Sequence, residues 1–314
     1  MEFFGGLLSS LPTAVELGLF NALTVLALFL SYSMLNVCDL STDGCFTLGA
    51  CVGAVVAISG NPYLSIPAAM CAGVISGFIT ALLQTRMGVD SLLSGIIVNT
   101  GLYSINIAIM GNSSLLNMNK TRTVFTDLKA ALEGTFLHGQ SKLIIAVIAV
   151  ALVVLFLSLF LKTKLGLAIR ATGNNPDMVK SSSINPAFTT TVGLCISNCF
   201  TALSGYLLAQ SQKSVNIDIG SGMVTIALAS LLIGGTFMGK GGIPKRATGV
   251  VLGSIIFRII YAIALRFDMP ASMLKLVSSV IVIIAISGPY IRSKYPLLKR
   301  RLDYYSKKES GGNA

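Results

Sequence analysis

The chain has 314 residues, of which 54% are hydrophobic and only 11% charged, and it carries a net charge of +11 with no tryptophan. Soluble domains hold about 25% charged residues, so this composition excludes a disordered chain, argues against an ordinary soluble domain and leaves an integral membrane protein. The basic excess has to be placed relative to the membrane before it says anything about a polyanion.

The first dozen residues, MEFFGGLLSSLP, lack the basic start and small-residue cleavage site of a signal peptide. Nine apolar segments then have the length to cross a bilayer as helices, near 13–36, 44–60, 63–85, 90–110, 142–161, 187–211, 222–239, 247–266 and 273–290. The expected fold is an all-α polytopic membrane protein, a single transmembrane domain over 1–291 with a basic tail at 292–314.

After the first span comes the tight link VCDLSTDG (37–44), where Asp39, Thr42 and Asp43 mark a helix break and Phe46 follows a turn later. Two readings fit these polar residues. They cap the second span, or they help a broken helix hold the charged ends of a solute on a path. The fourth span buries Asn99 and Asn106, suited either to bonds between helices or to the same path. The outer loop 111–141 is long for a bare connection, and VFTDLKAALEG (124–134) reads there as a short amphipathic helix that meets an external partner or lies on the membrane. The sequons at Asn112 and Asn119 would be chance if the source is bacterial, and the lone histidine, His138, lies in the same loop.

Between the fifth and sixth spans, 162–186 contains Asn174–Asn175–Pro176 with Asp177 behind it, a helix start. It predicts a short helix near 175–183, lying along the membrane as a knob for a partner; a solvated linker is the alternative. The sixth span carries Asn198 and Gln210, and Asn216 and Asp218 lie at the break before the seventh. GGTFMGKGG (234–242) nearly spells a phosphate-binding loop, but Gly241 stands where a Ser or Thr must hold magnesium, and no strand precedes it. Arg258 sits in mid-span eight, where a charge costs ~2.5–3.5 kcal/mol on insertion scales. It either faces the path and an anionic group, or is a structural pair or subunit contact.

Spans one to four and six to nine look related. Gly44 opens the short second span and Gly220 and Gly222 the short seventh; Gly73 and Gly77 follow Pro67 as Gly249 and Gly253 follow Pro244. An offset of five spans makes this an inverted repeat (halves 13–110 and 187–290), which points to a transporter with its path between the halves. The GxxxG pairs themselves suit close helix packing.

With nine spans the termini fall on opposite sides. Putting the C-terminus inside gathers 15 of the 23 basic residues in the inner segments, so the C-terminus is expected in the cytoplasm and the N-terminus outside. Most of the +11 is thereby a topology signal, and no nucleic-acid partner is implied. The six cysteines lie in or beside apolar segments without zinc spacing and read as buried, inert thiols. No hydrolytic set is visible.

GLAIRATGNNPDM (166–178) resembles the cytoplasmic coupling segment of bacterial ABC importer permeases of the branched-chain amino acid and ribose type. DLSTDGCFTLGA (39–50) and GLYSINIAIMGNSSL (101–115) look like the tryptophan/tyrosine-type amino-acid permeases within that group. The resemblance covers nearly the whole chain. It departs after NNPDM, where the family shows small Ala residues and a Gly-Ile and this chain reads VKSSSIN. What the resemblance implies is a homodimer of permeases in the bacterial inner membrane over two separate ATPase subunits, with an extracytoplasmic binding protein delivering the solute. ATP and Mg would be held on the ATPase, and this chain would hold no cofactor or metal. Arg170, Gly173, Asn174, Asn175, Pro176, Asp177, Met178 and Lys180 would form the coupling segment in a groove of the ATPase.

The expected function is the permease of an importer for an amino acid, aromatic ones included. A sugar or nucleoside importer of the same build and an ion-coupled secondary transporter are the rivals; a membrane enzyme lacks a catalytic set. The path residues expected are Asp39, Thr42, Asp43, Phe46, Asn99, Asn106, Asn216, Asp218 and Arg258.

Overall fold

Lipid offers the backbone no hydrogen-bond partner, so a membrane chain must satisfy its own amides, and helices do so within one segment. In the computed structural model the described residues are 2–131, 140–238, 241–265, 273, 276, 278–284 and 287. His138, Gly239, Lys240, most of the ninth predicted span and the basic tail lie outside them.

Among the described residues six helices are long and apolar enough to cross a membrane. They are Leu11–Met34, which is α1 (Glu2–Leu28) continued by a wider π-helical turn over Phe29–Met34, then α3 (Ser65–Thr85), α4 (Ser91–Ile109), α6 (Ser141–Phe160), α9 (Pro186–Gln212) and α11 (Ile243–Leu265). Two shorter ones, α2 (Thr42–Ile58) and α10 (Met223–Met238), stand where the short second and seventh spans were expected.

The centre is built on α1 and α9, whose apolar windows are 78% buried against 28–33% for the other four long helices. α3 packs on α9 and α11 on α1, while α2 lies against α9 and α10 against α1. An inverted repeat would exchange neighbours in this way. The glycines do not follow the exchange: Gly73 and Gly77 of α3 press on α9, but Gly249 and Gly253 of α11 press on α10.

The ends of the bundle differ. At one end β1 (Leu115–Asn117) pairs antiparallel with β2 (Ser214–Asn216), Leu116 opposite Val215, so the outer loop is stitched to the chain leaving α9. α5 (Val124–Ala131) follows within that loop, as its amphipathic pattern predicted. At the other end lie α7 (Lys164–Asn174) and α8 (Pro176–Ser181). Thr163 caps α7 by accepting from the Gly166 amide, and Asn175 caps α8 by accepting from the Asp177 and Met178 amides at 3.1 Å each. Gly173 lies so near the Met34 carbonyl that a Cβ there would come within 2.1 Å of it, so α7 rests on the π-helical turn of α1.

Candidate functional site

The short helices begin inside the bundle, and the residues that start them define the site. Beyond α1 the chain turns at Asn36, in the left-handed region at φ 58, and runs inward to Asp39. Asp39 is buried and accepts from Asn198 Nδ2 at 2.7 Å. Asn198 lies twelve residues into the 27 of α9, about 18 Å along at 1.5 Å per residue, near the helix middle. The other Asp39 oxygen accepts from the Ser41 amide at 2.8 Å and its hydroxyl at 2.6 Å, and Thr42 Oγ1 donates to the Asp39 carbonyl at 2.9 Å. Asp39 therefore anchors the entry of α2 to mid-α9.

Asp43, in the first turn of α2, reaches across to α10. Its two oxygens accept from the Gly222 amide at 2.9 Å and the Val224 amide at 2.8 Å. Those amides belong to the start of α10, where orphan N–H groups and the helix dipole favour a negative charge. The two short helices thus meet N-terminus to N-terminus, each next to a carboxylate. Gly220 makes room, since a Cβ there would lie 2.1 Å from the Asp43 carbonyl oxygen.

Beside this meeting point is an open cavity of about 400 Å³. Asp43, Asn99, Asn106 and Asp218 line it together with Thr47, Thr100, Tyr103, Ser104 and Ser221. Asn106 is 1% exposed; its Nδ2 donates to the Gly44 carbonyl at 3.2 Å and its Oδ1 has no hydrogen-bond partner. Asn216 lies in β2 and accepts from the Asp218 amide at 3.1 Å, bending the chain toward the cavity.

The expected path residues therefore separate. Asp43, Asn99, Asn106 and Asp218 share one cavity, while Asp39 and Thr42 stand behind it as supports. Phe46 is fully buried in the core among α1 and α9 side chains. Arg258 is elsewhere: with the Asn21 amide turned so that its oxygen faces the guanidinium, Nε donates to that oxygen at 2.7 Å and Nη2 donates to it as well, and the guanidinium lies 5.5 Å from the Tyr261 ring centre. It borders a separate, mainly apolar cavity of about 220 Å³ between α1 and α11. Asn99, Thr100, Tyr103 and Ser104 form a polar stripe at helical spacing along α4; of these only Asn99 stood out in the sequence.

At the α7–α8 end, Asn174, Asn175, Pro176, Asp177, Met178 and Lys180 are exposed, Met178 at 68%, whereas Val179 is buried. Asp177 and Lys180 approach to 3.6 Å on the surface. Arg170 is half-buried. The Thr172 and Thr189 hydroxyls bond at 2.8 Å, tying α7 to α9. Arg246 of α11 donates to Ser33 Oγ at 2.8 Å and stacks over Phe29, so the π-helical turn is held from both sides.

At the ribbon end, Asp127 of α5 accepts from Arg122 Nε at 2.7 Å and from the Tyr63 hydroxyl at 2.9 Å. The bond from Arg122, then that from Tyr63, holds the Asp127 carboxyl below the ordinary carboxylate range; Asp127 in turn raises Tyr63.

A family model described as branched-chain amino acid transport system / permease component matches residues 15–286. The tyrosine transport system permease protein of Clostridioides difficile is 31% identical over 88% of this chain and 90% of its own length. The fructose import permease protein of Bifidobacterium longum is 25% identical over 80% of this chain and 72% of its own. A nucleoside ABC transporter permease protein of Lactococcus lactis is 25% identical over 64% of each. No solved structure shows significant similarity.

Proposed function

Because the chain belongs to the branched-chain amino acid transport system permease family, we propose that it is the membrane permease of an ABC importer that carries an amino acid, aromatic ones included. The observation that carries the reading is the cavity at the meeting of α2 and α10, where two short helices begin inside the bundle and polar groups converge. The likeness to a tyrosine permease supports the choice of an amino acid over the sugars and nucleosides of the other relatives.

In this reading the α7–α8 end is cytoplasmic and the ribbon end faces outward, in a bacterial inner membrane. That orientation puts most basic residues inside. The permease works as a homodimer on two ATPase subunits, and an external binding protein docks at the ribbon end. The exposed stretch from Asn174 to Lys180 enters a groove of the ATPase. A push on α8 reaches α7, then the π-helical turn through Gly173, then the link that carries Asp39 and Asp43. Packed interfaces of this kind have discrete arrangements, which suits a two-state switch.

The test is reconstitution with the ATPase and the binding protein. ATP hydrolysis that is vanadate-sensitive and rises when the loaded binding protein is added supports the proposal. A permease that retains no ATPase on purification, and moves solute alone, refutes it.

A further inference from the structure

The cavity beside Asp43 has a chemistry of its own, and the inference rests on reading that cavity as the solute path. A broken helix ordinarily offers its N-terminus to an anion. Here the chain itself fills that position at α10, and at α2 it takes the amide of the N-cap residue Ser41. Asp39 accepts from the Ser41 amide at the start of α2, and both oxygens of Asp43 are taken by the Gly222 and Val224 amides of α10. Little donor capacity remains at the start of α10 for a carboxylate or phosphate.

Beside hydroxyls that donate or accept equally, the wall carries one exposed carboxylate and one unmet amide oxygen. Asp218 is exposed and lines the cavity. Asn106 also lines it, nine-tenths and more buried, with an Oδ1 that no donor satisfies. An unmet buried acceptor costs about 1–3 kcal/mol and invites a donor. No Lys, Arg or His stands among the described residues that line the cavity. We propose that Asp218, Asn106 and Asn99 form a subsite for a primary ammonium group, so that the permease itself reads the amino end of its solute and repels anions. An ammonium brings three donors and one positive charge, matching an amide oxygen and a carboxylate. A neutral sugar matches only the hydrogen bonds, and a dicarboxylate matches neither.

Thiol labelling in the purified, membrane-reconstituted permease tests this without requiring transport. Thr100→Cys places a thiol on the cavity wall in a Cys71→Ser background, which removes the exposed native cysteine; Ser104→Cys serves if the first variant folds poorly. Cationic and anionic methanethiosulfonate reagents are compared, each normalised to its rate with a small free thiol, after subtraction of labelling in the background chain. A cleft lined by one sign of charge raises local counter-ion concentration about tenfold or more, so the cationic reagent should react about tenfold faster. Asp218→Asn should bring the ratio to within about threefold of one. Tyrosine methyl ester, with an ammonium and no carboxylate, should slow labelling; N-acetyltyrosine, with the reverse, should not. A ratio near one or inverted before the Asp218 change, or equal protection by both derivatives, overturns the subsite. Charge selectivity that persists while ATP-driven uptake fails keeps the subsite and removes the importer reading; uptake with no selectivity does the opposite.

Discussion

Asp43 does two jobs at one point: it starts α2 and caps α10. A charged hydrogen bond contributes about 1.5–3 kcal/mol, and Asp43 makes two such bonds to backbone amides. Asp43→Ala is predicted to cut uptake about tenfold or more, the equivalent of losing roughly one such bond, while the complex still assembles. Uptake assays beside size-exclusion yields check both halves, and normal uptake would remove Asp43 from the site. At the outer surface the Asp127 latch has a pH signature. Its carboxyl is held below the ordinary range, so its contribution is complete above the unfolded pKa of about 3.9 and is lost as pH falls through the lower folded value. Tyr63 is raised, so its contribution is complete below about 10 and is lost as pH rises through its folded value. The latch should therefore hold without change across the neutral range. Arg122→Gln should raise the Asp127 pKa, read from its carboxyl carbon shift against pH; an unmoved titration would contradict the pairing. Residue chemistry was partly legible in sequence: Asp39, Thr42 and Asp43 at a break announced a cap or a path, and the structure has a cap made across the two halves. A partner 179 residues away along the chain leaves no local pattern to read.

At the scale of elements, α8 gives a clean test of coupling. The Asp177–Lys180 pair is exposed on both sides, and such pairs contribute only about 0–1 kcal/mol. Charge reversal at either residue should leave the helix, capped by Asn175, in place. Asp177→Lys or Lys180→Glu is predicted to weaken ATPase co-purification while binding-protein docking is unchanged; unaltered complex yield and uptake in both would refute the coupling role. Gly173 tests the next step. A side chain there collides with the Met34 carbonyl, so Gly173→Val should uncouple the machine, with hydrolysis retained and uptake lost. The apolar helices from α1 to α11, the short second and seventh spans among them, and the start of α8 were readable, because hydropathy, Gly content and Asn-Pro capping are local signals; α7, with only a few apolar residues, was not placed. The ribbon of β1 and β2 was not, because three-residue strands pair across nearly a hundred residues of chain. The π-helical turn has no composition signature either: Phe29–Met34 continues the apolar run of α1 without a break.

For the whole molecule, +11 and an apolar chain first suggested only a membrane and a charge imbalance. In the orientation proposed above, the sequence segments on the side of the α8 knob carry 15 of the 23 basic residues, and the ribbon is opposite. The cavity lies between the ends, where α2 and α10 meet, and the path from knob to cavity runs through packed backbone at Gly173 and the buried Asp39–Asn198 bond. That arrangement fits a machine driven from one end. It fits an ion-coupled carrier less well, since the two link carboxylates are held by the chain's own amides and not left to bind and release an ion. The most direct test is uptake of labelled tyrosine into proteoliposomes that contain the permease, its ATPase and its binding protein, with ATP supplied on the ATPase side. The account predicts accumulation that requires ATP and the binding protein, stops with vanadate and survives collapse of the proton and sodium gradients. Accumulation that ignores ATP and vanishes with either gradient would contradict it.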